Sequence, residues 1–280
     1  MCLIVFAYGV HPRYPLVLAA NRDEFFSRPT LPLHEWEDGS GIIAGRDLQG
    51  GGTWLGLARS GRFAALTNVR RLPAPIFETT RGALVSRFLT CTLAPDEFVN
   101  QQMGDQQAYA GFNLLLGSAE GLFYLSNRDP HTTTAPRRLA AGVYGLSNHL
   151  LDTPWPKVVR TRTALTQHLH SKEFEPHQLW SILNNRERPA DNELPDTGVG
   201  LQSERSLSTA FIRLPGYGTR CSTILSLDTQ GEVRITERTF SAPERTDRET
   251  DPEHEAERHF SLPRFALGLP DAGEDRGSDI

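Results

Sequence analysis

The sequence has few cysteines, no long apolar run and no excess of basic charge. Its three cysteines, Cys2, Cys91 and Cys221, are too few for a disulfide framework, and none has the CxxC spacing of a zinc or redox site. We therefore expect a cytoplasmic protein with no metal and no cofactor. The apolar run 2–8 is too short to span a membrane, and it has neither the basic flank nor the cleavage site of a secretory signal. We expect no membrane span.

The lack of basic charge argues against nucleic acid as a partner. There are 29 Lys and Arg residues against 34 Asp and Glu, a net charge of -5. Residues 241–280 hold 11 acidic and 5 basic side chains, so the rest of the chain has a net charge of +1. A general nucleic-acid binder would need a basic surface to neutralise phosphates. The imbalance belongs to the tail, and the body has no basic stripe.

The composition predicts one substantial domain followed by a tail. The chain has 280 residues and is 38% hydrophobic, with 24 Gly and 19 Pro, which allows a single large core. We place the domain at 1–240. In 241–280 apolar residues fall to 10 of 40, and we expect disorder there. Only 260–269 is apolar enough to dock on the domain.

Runs of apolar and β-branched residues predict an α+β fold with two sheets and two helical layers. Strand hairpins are predicted at 2–8 with 14–20, at 53–58 with 62–67, and at 111–117 with 121–127, and a strand triplet at 207–213, 219–227 and 232–240. Helices are predicted at 80–93, 95–103, 156–170 and 176–183. Strands that are apolar throughout need cover on both faces, which favours a layered sandwich. The polar stretch 185–204 is predicted as a surface loop or lid.

Cys2 is the first candidate catalytic residue. If Met1 is removed, the thiol and the free α-amine belong to one residue, which supplies both a nucleophile and a base. A free α-amine titrates near 7.7 to 8.0 and a thiol near 8.5, so the amine can accept the thiol proton at about neutral pH. The alternative is that a small residue merely begins a strand.

Polar residues follow directly on the second strand. If Tyr8 lies opposite Tyr14, Cys2 lies beside Ala20 and close to the run from Asn21 to Glu24. In that position Asp23 could hold the ammonium of Cys2, and Asn21 could donate to a substrate carbonyl or to backbone. Arg22 and Glu24 lie on the opposite face of the strand, as a solvated ion pair or a clamp on the hairpin end. A polar turn that caps the hairpin remains the alternative.

Further candidates end or begin other strands. Pairing about Ser60 brings Asn68 near Gly52, where the backbone can approach a ligand closely, and Asn68 could donate an amide hydrogen to an oxyanion. Asn148 ends a strand in the same way. Arg220 begins a strand, and beside Cys2 its charge would lower the pKa of the thiol. The alternatives are turn-forming asparagines and a surface arginine.

The combined motifs resemble those of the NRDE-motif family, which includes the transport and Golgi organization protein 2 homologues. They extend from the amino terminus to about Phe240: MCLIVF at 1–6, LAANRDEFFSRP at 18–29, GRDL at 45–48, GTWLG at 52–56, ALTN at 65–68, GFNLL at 111–115, GLSN at 145–148 and YGTRCST at 217–223. No single motif suffices, but the combination is highly specific.

The resemblance implies an αββα sandwich of the N-terminal-nucleophile hydrolase type. It also implies kinship with cholylglycine hydrolases and penicillin V acylases, cysteine amidases that act on non-peptide C–N bonds. By that resemblance Cys2 is the nucleophile and Asp23 the carboxylate that steadies its amine. Asn68 and Asn148 are active-site amides, and Arg220 is the arginine near the thiol. Those amidases carry an arginine three residues before the aspartate, where this chain has Ala20.

Two functions follow as hypotheses. The first is a hydrolase or acyl transferase that cleaves an amide or thioester through an acyl-Cys2 intermediate, with Asn21, Arg22 and Gly52 contacting the substrate. The second is a carrier or chaperone that holds haem, a lipid or acyl-CoA in the same cleft, because eukaryotic members of the family are linked to lipid handling and haem trafficking.

Overall fold

A computed structural model describes residues 2–70, 80–102, 106–132, 135–242 and 254–270. Fourteen strands occupy these ranges: Cys2–Tyr8 (β1), Leu16–Phe25 (β2), Thr30–Glu35 (β3), Ile42–Asp47 (β4), Leu55–Ala58 (β5), Arg62–Asn68 (β6), Phe112–Ser118 (β7), Gly121–Ser126 (β8), Arg137–Arg138 (β9), Gly142–Leu146 (β10), Arg213–Leu214 (β11), Tyr217–Leu227 (β12), Val233–Thr239 (β13) and Ala256–Leu262 (β14). The helices there are Gly82–Thr90 (α1), Pro95–Gln102 (α2), Pro156–Leu169 (α3), Trp180–Leu183 (α4) and Leu201–Leu207 (α5).

The strands form two antiparallel sheets of seven strands each. The first has the order β10-β1-β2-β12-β13-β14, with β11 paired to β12, and the second runs β3-β4-β5-β6-β7-β8-β9. Most of the second sheet joins strands that are neighbours along the chain. The first sheet brings together the beginning, the middle and the end of the chain, and its central strands β1, β2 and β12 carry the motifs that point to function.

The β1–β2 hairpin is offset by two residues from the predicted register. Tyr8 pairs with Leu16 and Cys2 with Arg22, because the loop closes through a hydrogen bond from Gly9 N–H to the Pro15 carbonyl. An offset of two conserves the alternation of faces, so the predicted core face of each strand is unchanged. The side chain beside Cys2 is therefore Arg22 and not Ala20.

Three apolar cores separate four layers and confirm the α+β sandwich with the order αββα. The core between the sheets holds alternate residues of β1 and β2, such as Ile4, Phe6 and Leu18, packed on Leu57 and Phe63 of the second sheet. A second core lies between the second sheet and helices α1 and α2. A third covers the opposite face of the first sheet with α3 and α4. The continuous apolar runs of β1 and β2 are explained by burial on both faces.

The helices match the prediction in the first half of the chain and differ near 207. α1, α2 and α3 lie within the predicted ranges, and 176–179 forms a 3-10 turn before α4. The predicted strand at 207–213 is wrong: α5 runs to Leu207, and only residues 213–214 form a strand. The predicted loop 185–204 holds a 3-10 turn at 191–193 and the first turn of α5. None of the helices in the described ranges has the length and apolar character needed to cross a membrane.

The carboxy-terminal segment 254–270 is ordered, as the sequence allowed for 260–269, and it extends the order to 254–259, where disorder was expected. β14 pairs with β13 along its length, and Phe265 and Leu267 are buried in the core between the sheets. The Tyr8 hydroxyl donates to the Gly268 carbonyl, and Gly268 N–H donates to the Ser118 carbonyl at 3.0 Å. This segment closes the end of the sandwich where β1 finishes. The other predicted tail residues, 243–253 and 271–280, lie outside the described residues.

Candidate active site

A cleft of about 510 Å³ opens between the two sheets at the end where β1 begins. It is lined by most of the predicted site residues: Cys2, Arg22, Asp23, Gly52, Asn68 and Arg220. Asn21 and Asn148 are not in the lining. Apolar side chains from both sheets complete the walls, including Leu31, Trp54, Leu66 and Phe240. A cleft of this size can bury most of a small molecule.

Cys2 belongs to a row of side chains on the cleft face of three neighbouring strands. Register pairs Cys2 of β1 with Arg22 of β2, and Arg22 with Cys221 of β12. Arg22 is buried, and its Nη1 makes no hydrogen bond within the described part of the chain. This corrects the expectation that Arg22 points away from the site as a solvated ion pair. The guanidinium of Arg22 therefore supplies the positive charge beside the Cys2 thiol.

Burial governs the ionisation of the Cys2 thiol. Loss of solvation raises the pKa of this thiol, while the positive charge of Arg22 acts in the opposite direction. The net effect leaves the thiol protonated near neutral pH, so nucleophilic attack requires a base. The cleft thus holds a nucleophile whose activation depends on a proton acceptor nearby.

Asp23 follows Arg22 in β2, and because Arg22 pairs with Cys2 in the antiparallel register, Asp23 lies toward the amino side of Cys2. Its side chain is 1% exposed and accepts a hydrogen bond from the Thr219 hydroxyl at 2.7 Å. Burial raises the pKa of Asp23, and the charges of Lys157 and Arg22 lower it. This is the position that the sequence predicted for a carboxylate that steadies an amino-terminal amine.

Asn68 and Asn148 are neighbours in the structure but have different roles. The register of β5 and β6 is the predicted one, and it brings Asn68 level with Gly52 at the cleft. Asn148 is fully buried, and its side-chain amide donates to the Asn68 carbonyl at 2.9 Å. Ser147 beside it donates to the Cys2 carbonyl at 3.0 Å. Asn148 therefore holds the end of β6 in place and is not available to a ligand, which corrects its assignment as a second active-site amide.

Gly52 is required by a close approach of two backbones. A Cβ atom there would lie 2.4 Å from the Gly82 carbonyl at the start of α1, and Thr53 N–H donates to that carbonyl at 3.3 Å. Because Gly52 has no side chain, the start of α1 can pack closely against it. Gly52 also lines the cleft, where a ligand could approach its backbone.

Arg220 is engaged with backbone. Its Nη1 donates to the carbonyls of Phe25 and Arg28 at 2.9 Å each, and its guanidinium stacks on the Phe26 ring. These contacts fix the turn that follows β2. The predicted role of Arg220 beside the Cys2 thiol is taken by Arg22, which pairs with Cys2 in the sheet.

Asn21 is a structural residue. Its amide donates to the carbonyls of Leu183 and Ala210 at 2.9 and 2.8 Å, and its oxygen accepts from the Ser222 hydroxyl at 2.6 Å. The side chain is fully buried on the helix side of the sheet. The predicted contact with a substrate is wrong for Asn21, and its alternative role as a donor to backbone is correct.

The site also contains charged residues that the sequence did not indicate. Arg81, at the start of α1, lines the cleft and is close enough to Cys2 for the thiolate charge to raise the pKa of Arg81 against the larger lowering by burial. Glu237 of β13 is buried beside Cys221 and accepts from Leu33 N–H at 2.7 Å. Lys157 of α3 is buried, donates to the Leu207 carbonyl at 3.0 Å, and lowers the pKa of Asp23 through its charge. A lysine within a helical pattern and an arginine outside every motif carry no sequence signal of a site.

A family model described as Transport and Golgi organisation 2 matches residues 1–242. The chain belongs to this family. The match confirms the resemblance drawn from the NRDE and accompanying motifs. The human Transport and Golgi organization protein 2 homolog is 34% identical over 264 residues, which cover 86% of this chain and 93% of that protein.

Two solved structures show limited similarity to this chain. The N-acylethanolamine-hydrolyzing acid amidase ortholog of Caenorhabditis elegans has a TM-score of 0.44 and 14% identity, and the match covers 80% of this chain and 92% of that one. Penicillin V acylase of Agrobacterium tumefaciens has a TM-score of 0.40 and 12% identity, with coverage of 97% and 89%. The assignment of four layers to this chain rests on its own strand pairing and apolar cores.

Proposed function

We propose that this member of the Transport and Golgi organisation 2 family is a cytoplasmic N-terminal-cysteine hydrolase or acyl transferase. Its substrate would be a non-peptide amide or a thioester. The observation that carries the proposal is the juxtaposition, at one cleft, of Cys2, the buried Asp23 beside the nitrogen of Cys2, and Asn68 across the cleft. Removal of Met1 is part of the proposal, because it converts that nitrogen from an amide to an amine.

The chemistry begins with proton transfer from the Cys2 thiol to its own α-amine. The thiolate then attacks the substrate carbonyl carbon and forms a C–S bond, and the carbonyl π electrons move to oxygen. Collapse of this tetrahedral oxyanion breaks the C–N or C–S bond, and the ammonium of Cys2 protonates the leaving group. Water or another amine attacks the acyl-Cys2 thioester, with the α-amine again as base, which releases the acyl product and restores the thiol.

Three residues support these steps. Asn68 would donate its side-chain amide to the oxyanion, since it lines the cleft and Asn148 bonds only to its backbone carbonyl. The Asn68 side chain itself makes no hydrogen bond within the described part of the chain. Arg22 would stabilise the thiolate from the neighbouring strand. Asp23 would orient the amine through its negative charge, while the Thr219 hydroxyl holds the carboxylate in place.

The carrier function is a second candidate, supported by a different observation. The Cys2 thiol is buried and its pKa is raised, as expected of a cysteine that packs and does not react. The cleft wall also includes the exposed Leu31 beside Trp54 and Leu66, which would suit an apolar ligand such as haem or a lipid. In that case the residues around Cys2 would shape the cleft without chemistry.

Comparison of wild type with Cys2→Ser and Cys2→Ala tests the proposal. Each protein is treated with a panel of amides and thioesters and with a thiol-directed probe, and labelled sites are found by mass spectrometry. Cys221→Ala is the matched control, because Cys221 lines the same cleft on a neighbouring strand. We expect turnover and cleft labelling to be lost in both Cys2 variants and kept in Cys221→Ala. Equal turnover in all four proteins would exclude Cys2 as the nucleophile.

A further inference from the structure

One guanidinium in the cleft lacks an anionic partner among the described residues. Arg22 is 6% exposed, and its Nη1 is buried and makes no hydrogen bond in that part of the chain. Strand register places Arg22 between Cys2 and Cys221, and all three residues line the cleft. A buried charge without a partner is costly, so this position favours a ligand of opposite charge.

The other three arginines of the described cleft lining already have acceptors. Arg28 Nη2 lies 2.7 Å from Asp47 Oδ2. Arg81 Nη1 donates to a backbone carbonyl at 3.0 Å, and Arg220 Nη1 donates to two backbone carbonyls at 2.9 Å. Arg22 is therefore the cleft arginine whose hydrogen bonds remain for a bound molecule.

Two acidic side chains that line the cleft near the end of the first sheet are engaged elsewhere. Glu24, two residues further along β2, accepts from the next backbone N–H at 2.9 Å, and its carboxylate lies 4.0 Å from Arg28 Nε. Glu237 of β13 accepts from Leu33 N–H at 2.7 Å, and burial raises the pKa of its carboxyl group, which favours the neutral form. These contacts commit both carboxyl groups to partners other than Arg22.

The charges that line the cleft favour a monoanion over a polyanion. Among the described lining residues, four arginines face five acidic side chains, which are Asp23, Glu24, Asp47, Glu237 and Glu255. A phosphate group would bring about two negative charges into this acidic lining. A carboxylate brings one charge, and its two oxygens match the fork of a single guanidinium.

We propose that Arg22 binds a carboxylate of the substrate, and that the substrate is an amide or thioester whose carboxylate lies close to the scissile carbonyl. This inference rests on the proposed function, because Cys2 defines where that carbonyl lies. Side chains of directly paired residues on antiparallel strands begin about 5 Å apart. A carboxylate on Arg22 would therefore be a few bonds from the carbon that Cys2 attacks. Both the acyl half and the leaving group offer a place for it, and the experiment separates them.

Binding to full-length Cys2→Ala protein, which cannot form the acyl intermediate, tests this subsite by isothermal titration calorimetry. The first pair of ligands is an N-acyl alanine and its carboxamide, which places the carboxylate on the leaving amine. The second pair is the monoanilide of a dicarboxylic acid and its carboxamide, which places the carboxylate on the acyl half. We expect the acid to bind about 10- to 100-fold more tightly than the carboxamide in one of the two pairs.

Substitution of Arg22 by Met or by Gln in the same protein should abolish this preference. Arg220→Met is the matched control, because it removes an arginine of the same cleft that donates to backbone, and it should keep the preference. Thr223→Val is a second control with the same expected result. The Thr223 hydroxyl is also buried without a partner among the described residues, but Thr223 does not belong to the described cleft lining.

The possible failures have different outcomes. Equal affinity of acid and carboxamide in both pairs, or a preference that persists without Arg22, would overturn the subsite. Stronger competition by inorganic phosphate than by acetate would overturn the choice of a carboxylate.

Turnover by protein with an intact Cys2 gives a second readout. The ratio of kcat/KM for acid and carboxamide should show the same preference and lose it in Arg22→Met, whereas weaker stabilisation of the thiolate alone would slow both substrates alike. Selective binding of the acid without turnover of either ligand would leave the subsite in place and overturn the proposed function.

Discussion

At the scale of single residues, two arginines illustrate what decides a role in this site. Arg22 and Arg220 both line the cleft, but Arg22 shares a row with Cys2, whereas Arg220 donates to the carbonyls of Phe25 and Arg28. The side-chain type is the same for both. The difference lies in strand register and in where each guanidinium finds its acceptors, and neither can be derived from composition.

Substitution of Arg22 by Met should therefore slow alkylation of Cys2, because the thiol loses the neighbouring charge that lowers its pKa. We expect a lower labelling rate at pH 7, because a smaller fraction of the thiol is then ionised. The measurement is the rate of iodoacetamide labelling at Cys2, followed by peptide mass spectrometry. Arg220→Met is the control: it should lower thermal stability and leave the labelling rate nearly unchanged. Equal rates in Arg22→Met and wild type would contradict the assignment.

The pH dependence of Cys2 labelling is a second prediction. In protein that retains Met1 there is no α-amine at Cys2, and burial raises the thiol pKa. The thiolate fraction, and with it the labelling rate, should be low near neutral pH and rise with a midpoint above the 8.5 or so of a free cysteine. After removal of Met1 the amine can accept the proton, and the rate at pH 7.5 should increase. A midpoint below that of free cysteine in the Met1 form would show that the charges outweigh burial.

Asn68 is the residue whose loss should affect the chemical step most selectively. Asn68→Ala removes the proposed oxyanion donor, and we expect kcat to fall by about 100- to 1000-fold with little change in KM. Steady-state kinetics on any substrate found with wild type would measure this. Thr30→Ala serves as the control, since Thr30 lines the same cleft but its hydroxyl donates to the Arg28 carbonyl. A loss confined to KM would mean that Asn68 binds the ground state.

At the scale of elements, the central strands of the first sheet were predictable, whereas the strands at the edge of the second sheet were not. β1 and the first half of β2 are apolar runs, and β12 is buried over most of its length, so the positions of these strands follow from the sequence. The register of β1 and β2 was missed by two residues because the turn contains residues 9–15 and not 9–13. β3 and β4, with mixed burial and a bulge, gave no clear pattern. Asn21 was predicted to be a site residue because the backbone carbonyls that accept its hydrogen bonds are distant in the sequence and could not be identified from it.

The carboxy-terminal strand should stabilise the sandwich. Phe265 is buried between the sheets after β14, and Phe265→Ala should lower the free energy of unfolding by about 3–5 kcal/mol. His259→Ala, on the exposed face of β14, is the control and should change it by less than about 0.5 kcal/mol. Urea unfolding followed by tryptophan fluorescence measures both. Equal stability of the two variants would indicate that the segment does not dock in solution.

At the scale of the whole molecule, both proposed functions, catalysis and the transport of a bound ligand, would use the same cleft. The sandwich places apolar walls, the buried thiol and several charged side chains at a single end of the fold. Titration with haem separates the two functions. A Soret shift that persists in Cys2→Ala, with no turnover of any amide or thioester, would favour the carrier. We expect instead that Cys2→Ala abolishes turnover, whether or not the cleft also binds apolar molecules.

The intact mass of the purified protein, before and after incubation with an activated ester, tests the central claim most directly. The account predicts a chain that lacks Met1 and gains one acyl group, located on Cys2 and absent in Cys2→Ala. A chain that retains Met1, or an acyl group that is equally present in Cys2→Ala, would contradict it.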